Sequence, residues 1–318
     1  YMRNAALFPG VELRACADLS EDLARKRAAE YGIRALALDD LLKAADVDLV
    51  LNLTVPNAHF AVSHAALTAG KHVFTEKPLG TDRAACEAAV AACAEHRVTL
   101  MVGYNWRFQP ALAAIKRMLD DGRLGRLLHI EGNFCGPSAY RFARGHWRHA
   151  AGEVPAGGMT GRGVHVVDAM LYLAGRIETV TAQSLRLVQD FGADDTTSML
   201  FRFADGATGY LGTVIATAET WRMQVFGSRG WAEVGDVEHL TTWQLRTSFI
   251  DPDDIVRKSR PTVTTFEPVS TERAELEHFA RACEARRPLA VPGGDEIHNM
   301  AVLDAIERSA KSGASVKP

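Results

Sequence analysis

The sequence predicts an α/β fold, a doubly wound parallel sheet over residues 1–104, followed by an α+β domain over 105–318. Two observations carry this prediction. Between residues 11 and 104 short apolar runs alternate with amphipathic stretches, the pattern of parallel strands covered by helices. From about Glu178 to Thr247 the segments turn rich in Thr, Val and aromatics, punctuated by Asp205-Gly206 and Gly227 to Gly230, the pattern of antiparallel strands joined by hairpins.

Taken in order, Val11 to Cys16 reads as a strand, and Glu21 to Tyr31, with Leu23, Ala24 and Ala28 at helical spacing, as a helix. Val47 to Val55 is apolar except at Asp48, Asn52 and Thr54, as in a strand buried on both faces. A helix from about Ala61 to Ala69 ends at Gly70, a left-handed cap, before a strand through His72, Val73 and Phe74. A helix from about Asp82 to His96 leads into a buried strand at Val98 to Gly103. The domain boundary is expected between Gly103 and Pro110. Beyond it come a helix at Pro110 to Asp121, a strand at Leu127 to Phe134, a Gly-rich loop, a helix at Val164 to Leu173, and a last helix at Glu296 to Ser312. The opening residues read as the last turns of a helix. The first strand and Gly-rich turn of a dinucleotide-binding domain do not precede them, so about 20 further residues are expected upstream.

Composition narrows the function. The 36 Lys and Arg nearly balance the 39 Asp and Glu, so no basic footprint points to nucleic acid, and a small molecule is the better ligand. No apolar run approaches the ~20 residues that cross a bilayer, and neither a signal peptide nor a membrane partner is indicated. Five scattered cysteines, never in a CxxC pair, suggest free thiols, no zinc site and a cytoplasmic protein.

Several residues stand where chemistry is expected. Asp18 follows the first strand, where a carboxylate either accepts hydrogen bonds from the adenosine ribose of NAD or caps the following helix, a role Ser20 can also fill. If Asp18 meets the ribose, its charge disfavours the 2′-phosphate of NADP. Thr54, Pro56 and Asn57 follow a buried strand, where ligand-binding loops lie, though they equally suit a turn. The next strand ends in Thr75-Glu76-Lys77-Pro78, and a lysine there is a candidate stabiliser of an alkoxide. In the Gly157 to Asp168 segment His165 is a candidate base. Asp168, three residues on, is placed to orient its ring; the alternative is a histidine merely satisfied at a helix start.

Together these segments resemble the Gfo/Idh/MocA superfamily of glucose-fructose oxidoreductase and inositol dehydrogenase-like enzymes. The resemblance rests on an ordered set: the Asp after the second strand, T-V-P-N-A-H at 54–59, A-G-K-H-V-F-T-E-K-P at 69–78, G-Y-N-W-R-F at 103–108, W-R at 147–148, G-G followed by G-V-H-V-V-D, and the closing A-V-L-D-A-I-E-R-S-A-K-S-G. It implies a Rossmann domain, a second domain with a large, open, mostly antiparallel sheet, a bound nicotinamide cofactor, and a homodimer or homotetramer. It further implies that Lys77 and His165 are catalytic and that Pro78 is cis. Cofactor contacts are implied for Asp18, Thr54, Pro56, Asn57, His59, Glu76, Lys77, Pro78, Arg107, Trp147 and Arg148. Substrate contacts are implied for Lys77, Asn105, Arg162 and His165.

One departure matters. Many members carry a substrate-contacting Asp four residues before the histidine, and this chain has Gly161 there, followed by Arg162. Either Arg162 faces the cleft and favours an anionic substrate such as a sugar acid, or it points to solvent and Gly161 only permits the turn. The expected activity is NAD-dependent interconversion of a hydroxyl and a carbonyl on a sugar, polyol or sugar acid, with NADP the less expected cofactor. The alternatives are a hydrolase or lyase that oxidises its substrate transiently, and a non-catalytic sugar-sensing relative.

Overall fold

A computed structural model describes residues 1–8, 10–80, 82–146, 157–256, 260–290 and 296–318. It divides into two units, Tyr1–Tyr104 with Ser270–Glu296, and Asn105–Val269 with Ile297–Pro318. The first runs α1 (Met2–Leu7), β1 (Ala15–Cys16), α2 (Glu21–Tyr31), β2 (Arg34–Ala35), α3 (Leu38–Lys43), β3 (Leu49–Asn52), α4 (Pro56–Thr68), β4 (His72–Thr75), α5 (Arg83–His96) and β5 (Leu100–Val102). Local chemistry sets several of these bounds. Ser20 Oγ accepts from Leu23 N to start α2, and Gly32, at φ 65°, ends it in the left-handed conformation that glycine adopts without strain. Asp82 caps α5 by accepting from Ala85 N. Pro56 and Asn57, which suited a ligand-binding loop or a turn, form the first turn of α4, so the helix expected from about Ala61 begins five residues earlier; a proline at the first helical position loses no hydrogen bond there.

All strand pairs in this unit are parallel, in two pieces: β1 with β2, and β3-β4-β5. The strand expected over Val11 to Cys16 is only two residues long, since β1 finds partners only at Arg34 and Ala35.

The second unit begins with a 3-10 turn (Asn105–Phe108), α6 (Pro110–Asp120), β6 (Leu127–Cys135) and α7 (Ser138–Arg141). A π-helical turn (Met159–Gly163) runs directly into α8 (Val164–Ala174). Then come β7 (Ile177–Leu185), β8 (Thr196–Phe203), β9 (Thr208–Val214), β10 (Thr220–Gly227), β11 (Gly230–Asp236), β12 (Gln244–Phe249) and β13 (Thr262–Thr265). These strands form one eight-stranded sheet, ordered β13-β12-β11-β10-β6-β9-β8-β7, antiparallel at every pairing except β6 with β9. Glycine at 132 lets α8 lie directly on β6, since a Cβ there would strike Val166. The other face leaves Leu128, Leu185, Leu200 and Tyr210 exposed.

The chain then returns to the first unit through α9 (Thr271–Glu284) before α10 (Glu296–Ser312) closes the second. A single cut after residue 104 therefore misplaces residues 270–296. Phe279 packs edge-on against Phe74 of β4 at 5.9 Å, and Leu289 bridges to Leu100 of β5. Tyr1 Oη donates to Glu275 at 3.0 Å. Among the described residues no helix is long and apolar enough to cross a membrane.

Candidate active site

In the first unit the candidate residues gather at the carboxyl ends of the parallel strands. At the end of β3, Asn52 is buried and its amide donates to His59 O and Ser63 Oγ, both at 2.9 Å, while its Oδ1 accepts from Thr54 Oγ1 at 2.7 Å. His59, 1% exposed, places one ring nitrogen 2.7 Å from Pro78 O and the other 2.9 Å from Thr54 O. The histidine thus ties the loop after β3 to the loop after β4. The Lys77–Pro78 peptide is cis, and Lys77 N donates to Glu76 Oε2 at 3.1 Å. Glu76 also faces the Tyr1 phenol. Burial, and then the carboxylates of Glu275 and Glu76, push that phenol far above its ordinary pKa, so it stays protonated and can donate to them. After β1, Asp18 Oδ1 accepts from Ser20 N at 2.8 Å, while Ser20 itself caps α2.

In the second unit the anchor is a buried ion pair. Arg107 Nε and Nη2 donate to the two oxygens of Asp168 at 2.7 and 2.6 Å, and Asp168 is 1% exposed. Burial raises the Asp168 pKa, and the Arg107 guanidinium is the largest opposing influence. The pair locks the 3-10 turn before α6 to α8 and leaves the first turn of α8 to present His165. That ring stacks on Trp106 at 5.8 Å and 19° between planes, and Trp106 in turn contacts Phe134 and Trp221. Arg162, in the π-helical turn, donates to Cys135 O at 2.9 Å and pairs with Glu219 at 2.6 Å, its guanidinium 4.7 Å from the Phe134 ring centre. The Arg162 hydrogen bond is the foremost reason that the Glu219 carboxyl lies below its ordinary range. A side chain built at Gly136 would collide with this pair, whereas one built at Gly161 would meet nothing within 4 Å.

Residues 2–104 match the model of the oxidoreductase family with an NAD-binding Rossmann fold, and residues 112–233 match the GFO/IDH/MocA C-terminal domain. The chain belongs to the GFO/IDH/MocA oxidoreductase family. It is 26% identical to inositol 2-dehydrogenase of Rhizobium meliloti over 93% of this chain and 88% of that protein. It is 28% identical to D-xylose 1-dehydrogenase (NADP(+)) 2 of Haloferax volcanii, over 96% and 92%. Aldose-aldose oxidoreductase from Caulobacter crescentus, crystallised with glycerol, superimposes with a TM-score of 0.88 at 26% identity, covering 100% of this chain and 95% of that one. This GFO/IDH/MocA protein is therefore a nicotinamide-dependent oxidoreductase with an NAD-binding Rossmann domain.

The residues present fit such a cofactor. Around the strand ends stand a carboxylate (Asp18), a hydroxyl (Thr54), an amide (Asn57) and exposed apolar surface at Leu19, Leu53 and Val55, the mixture that an adenosine with its ribose diol requires. Among the described residues no group of three or more His, Cys, Asp or Glu is placed to hold a metal ion.

Four of the expected residues have partners within the fold. His59 was expected at the cofactor, but both its ring nitrogens face backbone carbonyls. Arg107 was expected near cofactor or substrate, and it is committed to Asp168 inside the fold. Asp168 was expected to orient His165, but its oxygens face Arg107 and Asn299. Arg162 does not point free into solvent, because its guanidinium pairs with Glu219. Asn105 lies buried at the start of the 3-10 turn. Trp147 and Arg148 lie outside the described residues. Sequence reasoning missed Asn52, Trp106, Glu219 and His239. Trp106 stood inside a quoted motif, but nothing local marks Glu219 or His239.

Proposed function

We propose that the protein interconverts a hydroxyl and a carbonyl on a neutral sugar or polyol, with Lys77 and His165 as its catalytic residues. The observation that carries this reading is His165, half-buried at the first turn of α8 with its ring held by Trp106, which suits a base that must not swing away. NAD supplies the acceptor for the hydride that leaves the carbon. His165 takes the hydroxyl proton as the carbonyl forms and returns it in the reverse direction. The Lys77 ammonium stabilises the developing alkoxide. Asp18 would accept from the ribose diol of the bound cofactor, and Thr54, Pro56, Asn57, Glu76 and Pro78 would hold the remainder of the dinucleotide. The names of the relatives, which act on inositol, xylose or aldoses, support a carbohydrate substrate. The Arg162–Glu219 pair favours a neutral substrate over a sugar acid, because a second carboxylate would have to compete with Glu219 for the guanidinium.

The test is a panel of sugars, polyols and sugar acids followed by NADH absorbance. Lys77→Ala and His165→Ala should each lower turnover about 100- to 10,000-fold. NAD affinity, read by fluorescence titration, should change far less. Near-normal turnover in either variant removes that residue from the mechanism, and preferential turnover of sugar acids overturns the neutral-substrate reading.

A further inference from the structure

The loop joining β11 to β12 carries His239 into the ring cluster that holds His165. Its ring centre lies 4.6 Å from Phe134, 5.9 Å from Trp106 and 6.2 Å from His165. Trp106, Phe134 and Trp221 are 2, 4 and 1% exposed, whereas both histidines are half-buried. The cluster is thus an apolar floor against which two half-buried imidazoles are held. Charge stands beside them. Glu219 feels His239 among the influences that hold its carboxyl down, and Arg162, its partner, lies over Phe134.

The loop is pinned on both sides of His239. Thr242 Oγ1 donates to Glu238 O at 2.6 Å and accepts from Trp221 Nε1 at 3.0 Å, and the Gln109 amide donates to Thr242 O. A surface loop with one structural role would not need its histidine fixed over the same buried rings as a candidate base. Preorganisation of this kind is what a binding residue requires, since a side chain already held in place loses little entropy when it engages a ligand.

We propose that His239 is a second substrate-binding histidine, and that the site takes a diol, one hydroxyl at His165 and its neighbour at His239. The proposal rests on the dehydrogenase reading above for the role of His165. Each imidazole can donate or accept, so two of them suit two hydroxyls that are each donor and acceptor. Gly161 leaves room in the preceding turn for the body of such a substrate.

The experiment compares a diol with its monodeoxy analogue. Wild type, His239→Phe and His239→Gln are assayed on myo-inositol, D-xylose and their deoxy analogues, with NAD affinity and thermal midpoint as controls. Phenylalanine keeps the ring contacts to Trp106 and Phe134 but no hydrogen bond; glutamine keeps the hydrogen bond. His239→Phe should raise KM for the diol about tenfold and so erase most of the preference over the deoxy compound, with kcat changed much less. His239→Gln should recover part of the loss. An unchanged preference in His239→Phe overturns the proposal. Binding is read separately, from the imidazole Cε1–H resonances of the NAD-loaded protein as the same probes are added. Movement of the His239 signal without turnover sinks the dehydrogenase reading and spares this one. A stationary His239 signal beside a moving His165 signal overturns it.

Discussion

The two units use their polar side chains in opposite ways. At the strand ends of the first, Asn52, Thr54, His59 and Pro78 bond to one another, chiefly through backbone groups, so the side chains shape loops. In the second, Arg107 and Asp168 are sealed inside, and His165 and His239 stand above buried rings. The first arrangement fixes where backbone and loop surface lie, as a long cofactor with many contacts demands. The second fixes where individual imidazoles lie, as chemistry at one carbon demands. A conspicuous histidine can therefore mean either thing, and the partner atoms decide which. Carbonyls on both sides make His59 a tie, whereas a half-buried ring held over Trp106 suits the role proposed for His165.

The sharpest way to break this contrast is at the buried pair. Asp168→Ala leaves the Arg107 guanidinium uncompensated, and the expected loss of stability is about 3–5 kcal/mol by chemical denaturation. An unchanged denaturation midpoint would show that the pair is not the foundation of the second unit. Next comes the tie in the first unit. His59→Leu leaves the carbonyls of Thr54 and Pro78 without their partner, with an expected cost of about 1–3 kcal/mol and weaker NAD binding in fluorescence titration. If NAD affinity held while sugar selectivity changed, His59 would belong with the substrate instead.

The smallest effect sharpens the picture at Arg162. Because the Glu219 carboxyl is depressed below its ordinary 4.5 in the folded protein, its contribution to stability is present above about pH 4.5 and is lost as the pH falls through the folded value. Glu219→Gln should therefore be less stable than wild type at pH 7 by about 1 kcal/mol or less, since the pair is partly exposed, and the difference should shrink as acid protonates Glu219 in the folded protein. A difference of the same size at pH 7 and in acid would mean that packing, not charge, holds Arg162.

By itself the sequence determined the features whose causes lie within a few residues. Helix α2 begins and ends where Ser20 and Gly32 place its caps, and α10 spans Glu296 to Ser312, where the helical spacing put it. The ordered motifs also carried the family and its cofactor. Only the tertiary structure decided what each polar group does. Arg107 meets Asp168 across 61 positions, Arg162 meets Glu219 across 57, and α9 returns to pack on β4 after a whole domain has intervened. Such contacts leave no periodic or capping trace, because their energy comes from burial and charge pairing among groups brought together only by the finished fold. His239 lies in a loop with no pattern of its own, and it becomes a candidate only once the rings of Trp106 and Phe134 are in place beneath it.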